Sequence, residues 1–144
     1  MTVNLLKLCV GAESVEHLEH YMKARHQRGG HLLIKGHAFH TTRMVPKRMD
    51  ELTSGGSLYW VIKGNIQCRQ KLSGIEPFTD SEGISRCHLL LDREIIKTQW
   101  QPKRPFQGWR YLTVTDAPRD LTGGELTIDM PSEMRAELAA LGLF

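Results

Sequence analysis

The side chains able to do chemistry in this 144-residue chain are mostly cationic and unevenly spread. Residues 20–75 hold ten Lys and Arg against two acids, Asp50 and Glu51. That local excess of eight leaves −5 for the remainder beneath an overall +3. A second stretch, 95–115, contains no acid and adds Lys97, Lys103, Arg104 and Arg110. Segregated positive charge makes a local field that steers polyanions even when the total is small. The plainer alternative is that acids from elsewhere interleave once the chain folds. Lys and Arg supply phosphate contacts, and exposed rings stack on unpaired bases at about 1–3 kcal/mol each. On that chemistry Arg43, Lys47, Arg48, Lys63, Arg69, Lys71, Lys103, Arg104 and Arg110 form the candidate nucleic-acid-binding set, with Trp109, or else Phe106 or Tyr111, as the stacking ring. Residues 66–72 alternate, so a strand there sets Gln67, Arg69 and Lys71 on one face and Ile66, Cys68 and Leu72 on the other. Trp60 sits in the most apolar run and is expected in the core.

Other chemistries find less to work with. A small hydrolytic site could be built from Thr42, Lys47, Arg48 and Glu51, since a desolvated Lys beside a carboxylate can serve as a tuned base. Lys47 and Glu51 also stand at i,i+4, the spacing of an ordinary surface ion pair. His17 and His20, three apart on a helix, could share one ion, whereas His37 and His40 on a strand point to opposite faces. No H-E-x-x-H or Cys/His ligand pattern occurs, so neither a metal nor a cofactor is expected. The Gly-Gly pairs at 29–30, 55–56 and 123–124 match no phosphate loop or dinucleotide fingerprint. Ser54, Ser57 and Ser73 lack a nucleophile-elbow context. Nucleophilic catalysis therefore has no support, and the reading leans away from an enzyme.

Cys9, Cys68 and Cys87 give an odd count with no C-x-x-C pair, which suits small apolar packing groups in a reducing compartment rather than a disulfide framework. The apolar stretch 3–10, interrupted by Lys7, is too short for a membrane span and lacks the basic start of a signal peptide. A cytoplasmic protein without a membrane partner is expected.

The elements that must position these groups follow from periodicity and punctuation. Residues 3–10 read as a buried strand. Ser14 can cap a helix to about residue 28, with Val15, Leu18, Tyr21, Met22 and Arg25 at helical spacing and Gly29-Gly30 stopping it. Residues 37–44 alternate weakly as a strand. Pro46 suits the first turn of a short helix over 46–54, with Met49 and Leu52 inward. Residues 58–62 form a central strand, and Gly64-Asn65 is the expected hairpin turn. Another strand spans 86–91, with Cys87, Leu89 and Leu91 on one side. Residues 95–111 mix Trp and Pro and read as an irregular crossing before a final strand. A last helix from about Pro131 buries Met134, Leu138 and Leu141, and its apolar end, Leu143-Phe144, offers a route to a homo-oligomer or a protein partner. The sum, over 1–144, is one α+β domain: a small curved β-sheet or barrel with two or three peripheral helices.

Four strings carry a resemblance: Lys7-Leu8-Cys9-Val10-Gly11, Thr42-Arg43-Met44-Val45-Pro46-Lys47-Arg48, the run from Gly55-Gly56-Ser57 through Lys63-Gly64, and Arg104-Pro105-Phe106-Gln107-Gly108-Trp109-Arg110-Tyr111-Leu112. They resemble a bacterial domain-of-unknown-function family, number 1489, over nearly the whole chain. A weaker likeness, at the level of fold, is to PUA-like domains, including the ASCH group, which implies a PUA-like β-barrel. It also implies a surface for RNA or modified bases, or in some ASCH-like members a hydrolytic site using Lys, Thr or Glu. Non-enzymatic RNA binding through the basic strand-and-loop surface is the leading expectation; a small hydrolase near 46–54 and a protein-interaction module are the alternatives.

Overall fold

The computed structural model describes residues 2–121. The helix expected from Pro131, and with it the Leu143-Phe144 end, lies outside them.

β1 (Val3–Leu8) alternates, Val3 and Leu5 joining one apolar cluster and Leu6 the other. It stops before Val10, which is 91% exposed. The chain then caps α1 (Val15–Arg28) with Ser14, whose Oγ accepts the His17 N–H at 3.0 Å. Gly29, at φ 59°, ends the helix. Only Val15, Leu18 and Met22 of α1 are buried; Tyr21, expected on the inner face, is 56% exposed.

β2 (Ala38–Thr42) leads to a loop and to α2 (Met49–Leu52), a single turn shorter than the 46–54 helix expected. Pro46 precedes that turn, and Leu52 anchors it in the core. β3 (Ser57–Ile62) is buried throughout, as its unbroken apolar run requires. It turns into β4 (Asn65–Thr79) through Lys63 (φ 49°) and Gly64 (φ 80°), closed by the pair Ile62–Asn65. The turn thus falls one residue earlier than Gly64-Asn65, because two consecutive positive-φ residues twist as the flanking strands do.

Against β3, β4 carries one extra residue. Trp60 faces Cys68 and Val61 faces Ile66, so Gln67 is bulged, its side-chain amide donating to Ile62 O at 2.8 Å. The bulge shifts the two-residue phase. Ile66 joins the cluster of Tyr59 and Val61, Cys68 joins Trp60, and Arg69 and Lys71 share the face of Ile66 rather than that of Gln67. The expected division of this strand is corrected accordingly.

β5 (Ser85–Leu91) places Cys87, Leu89 and Leu91 in the core as anticipated. β6 (Ile96–Pro102) is a regular strand where an irregular crossing was expected, with Thr98 and Trp100 buried. The irregular part is confined to 103–108, before β7 (Trp109–Thr113). The molecule is α+β and mostly sheet. Its strands run β2-β5-β4-β3-β1-β7 in an open order, and β6 pairs with β4. β1 lies parallel to β3 and antiparallel to β7. The parallel pair needs a crossover, and α1 lies within it. A large core forms where Val15, Leu18, Met22 and Leu52 meet Leu5, Leu58, Trp60 and Leu89; a smaller cluster of Leu6, Tyr59, Val61, Ile66 and Leu112 covers the opposite face. No helix of the described residues is long and apolar enough to cross a membrane. All three cysteines are free, and Cys68 and Cys87 are buried.

Candidate nucleic-acid interface

The sheet gathers some of the expected cations and separates others. Leu8 pairs with Val61, Lys7 with Trp109, Ile62 with Asn65, and Asn65 with Pro102. These registers put the ends of β1, β3 and β6 and the starts of β4 and β7 at one pole, marked by the Lys63-Gly64 turn. Lys63 sits in that turn, and the Lys103 N–H donates to Gly64 O at 2.8 Å. Arg104 follows directly. Arg110, paired with Leu6 at the start of β7, holds its guanidinium 5.3 Å over the Phe106 ring and donates to Gln107 O at 2.9 Å and Trp109 O at 3.0 Å. Phe106 packs, partly buried, on the smaller cluster. Among the described residues none of Lys63, Lys103, Arg104 and Arg110 makes an ion pair.

Arg43, Lys47 and Arg48 lie on the loop that β7 pins from the larger core's side. The Trp109 indole N–H donates to Met44 O at 2.9 Å, and the Tyr111 hydroxyl accepts the N–H groups of Lys47 at 3.0 Å and Arg48 at 3.2 Å. Trp109 is therefore only 8% exposed, edge-on to Tyr111 at 4.8 Å, and offers no free face to a base. Arg48 stands 5.3 Å from the Tyr111 ring and pairs with Glu51, Nε donating to Oε2 at 3.1 Å. That hydrogen bond holds the Glu51 carboxyl below its ordinary range. Glu51 thus pairs with Arg48 rather than with Lys47, which is exposed. Thr42 is buried and donates to Met44 O at 2.8 Å. Of the four residues of the hydrolytic alternative, Arg48 and Glu51 pair with each other, Thr42 bonds Met44 O, and the Lys47 side chain is exposed.

Arg69 and Lys71 stand toward the opposite pole. Arg69 forms a bidentate pair with Asp120, Nε–Oδ1 2.8 Å and Nη2–Oδ2 2.7 Å, and donates to Ser57 Oγ at 2.7 Å. Its hydrogen bonds pull the Asp120 carboxyl below its usual range. With its side chain 16% exposed, Arg69 walls a cavity of about 470 Å³ together with Asn4, Tyr59 and Val114. Its charge is already matched.

A second cavity, about 330 Å³, was not anticipated. It lies between α1, the 8–12 segment that leaves β1 at the hairpin pole, and β2 and β3. Lys7, Arg25, His40, Phe39, Tyr21 and Trp60 line it. Arg25 Nε donates to Leu32 O at 2.7 Å, its guanidinium 4.5 Å from the Phe39 ring centroid. His40 meets the Trp60 edge at 5.5 Å. Burial, and then the charges of Lys7 and Arg25, push the His40 imidazole down to about 4, so it is neutral at pH 7. Burial likewise lowers Lys7 and raises the Cys9 thiol to about 11, which disfavours its thiolate. Trp60 is core, as expected, its indole N–H bonded to Gln70 Oε1 at 2.9 Å. The signal for this cavity was one Lys inside an otherwise buried strand, which reads equally as a mere interruption.

Of the two α1 histidines, His17 serves the helix start, its Nδ1 accepting the Glu13 N–H at 3.2 Å. Among the described residues no group of three or more His, Cys, Asp or Glu could hold a metal ion. No curated protein and no solved structure matches the chain. Residues 5–144 do match the family described as protein of unknown function (DUF1489), and to that family the chain, with its cationic pole and its cleft, belongs.

Proposed function

We propose that this is a non-enzymatic, cytoplasmic nucleic-acid-binding domain of PUA-like character, with single-stranded RNA as its ligand. The observation that carries this reading is the hairpin pole, where Lys63, Lys103, Arg104 and Arg110 meet no acid among the described residues and Phe106 lies beneath Arg110. Four cations at one end of a rigid sheet give phosphates a fixed target, and their counter-ion release supplies affinity without sequence preference. The partly buried Phe106 ring and the Arg110 plane offer a base a stacking surface. Arg43 and Lys47, on the loop docked to β7, extend the positive surface. Arg69 and Trp109 take no part, the one neutralised by Asp120 and the other covered.

Fluorescence anisotropy of a labelled 12-nucleotide single-stranded RNA, titrated between low and physiological salt, tests the proposal. The logarithm of the affinity should fall steeply and linearly with log salt, and Lys103→Glu with Arg104→Glu should weaken low-salt binding at least tenfold. Absence of binding at low salt, or salt-insensitive binding, overturns it.

A further inference from the structure

The cleft under α1 holds a cation in an unusual position. Lys7 is half-buried on a strand, yet its ammonium makes no hydrogen bond or ion pair with any described residue. A partly desolvated charge without a partner is unfavourable unless an anion joins it. Arg25, across the cleft on α1, spends Nε on Leu32 O, and no acid stands among the lining residues. The His40 ring nitrogens are likewise without a partner among the described residues, free to exchange a hydrogen bond with a guest. The rim is apolar: Val10 and Tyr21 are two of the few large hydrophobic side chains that the described residues expose, and both line this cavity. At about 330 Å³ the space lies at the small end of ligand pockets, roughly 300–1,000 Å³, which suits one planar ring with one anionic group.

We propose that this cleft binds a single nucleotide, its phosphate held between Lys7 and Arg25 and its base lodged against Tyr21 and Val10 at the rim, with His40 as a neutral hydrogen-bonding group behind it. The site is on the α1 side of the sheet, whereas Arg110 and Phe106 lie on the other, so it stands independently of RNA binding at the hairpin pole. The recognised chemistry, a phosphorylated base, has two sources: a free mononucleotide, or the terminal nucleotide of a strand.

Isothermal titration and amide chemical-shift mapping with adenosine 5′-monophosphate, adenosine, inorganic phosphate, and trinucleotides with and without a 5′-phosphate distinguish them. The monophosphate should bind at least tenfold more tightly than adenosine or phosphate alone and shift residues 7–12 and 21–25. Lys7→Gln should weaken it at least tenfold while Lys7→Arg retains most of it; Tyr21→Ala should weaken it several-fold. Lys103→Glu should leave it unchanged, which separates its failure from that of the pole. Binding of the 5′-phosphorylated trinucleotide alone, lost in Lys7→Gln, supports the site with a strand end as its source. No binding of any phosphorylated probe at millimolar concentration, or binding indifferent to Lys7→Gln in a variant with native dispersion, overturns it.

Discussion

At the scale of single residues, the folded state constrains some positions by space and others by solvation. Gly56 is a constraint of space: a Cβ there would meet Leu52 O and Val3 O at 2.3 Å, both backbone atoms that cannot swing away. Gly56→Ala should therefore destabilise by about 3 kcal/mol or more, well above an ordinary surface change, in urea unfolding; a loss under about 1 kcal/mol would mean that α2 and β1 shift freely. His40 is a constraint of solvation. Its folded-state value of about 4 lies below the ordinary imidazole value of about 6.5, so the unfolded chain binds the proton first. Native stability should therefore be lost as pH falls from about 6.5 to 4, and no such loss arises above 6.5. After allowance for partial exposure the effect is about 1–2 kcal/mol. His40→Gln, compared with the parent chain at pH 7.5 and pH 4.5, should remove that part of the slope. Equal slopes would show the imidazole to be solvated.

At the scale of elements, the hairpin between β3 and β4 joins architecture to charge. A lysine occupies a positive-φ turn position that Gly or Asn fills at less cost, roughly 1 kcal/mol. Lys63→Asn should raise stability by about 0.5–1 kcal/mol in thermal melts while weakening RNA binding, so the two measurements move in opposite directions. A parallel loss of both would place Lys63 in the fold rather than at the interface. The same hairpin shows what sequence can and cannot convey. The apolar run of β3 was legible because burial on both faces leaves no polar position, and α1 because Ser14 and Gly29 mark its ends. The bulge at Gln67 was not legible, since an extra residue looks like any other until a partner strand sets the register. One undetected insertion was enough to place Ile66 on the wrong face. β6 was hidden for a different reason: Pro102 ends it, and the part of β4 it pairs with lies more than twenty residues earlier in the chain.

At the scale of the whole molecule, charge that is segregated along the chain is only partly segregated in space. The excess over 20–75 divides among α1 and the segment after it, the hairpin pole, the loop at 43–48 and the opposite pole, where Asp120, from beyond the basic stretch, answers Arg69. Pairing of that kind depends on long-range folding, which is why Arg69 looked as available in the sequence as Lys103. The cleft was obscured by the same dependence, since Lys7, Arg25 and His40 belong to three elements that periodicity describes one at a time. The division makes a comparison possible that net charge alone cannot explain. Lys103→Glu and Lys71→Glu change total charge identically; Lys71 is exposed on β4, and Lys103 is partly exposed just beyond the end of β6. At low salt, where the Debye length reaches about 30 Å, a long-range field would make the two nearly equivalent. Local phosphate contacts would not: each lost contact lowers the log–log salt slope by about 0.7 for single strands. Lys103→Glu should therefore reduce the slope by about that amount and weaken low-salt RNA binding several-fold more than Lys71→Glu. Equal losses with unchanged slopes would replace a docking pole with a diffuse electrostatic attraction.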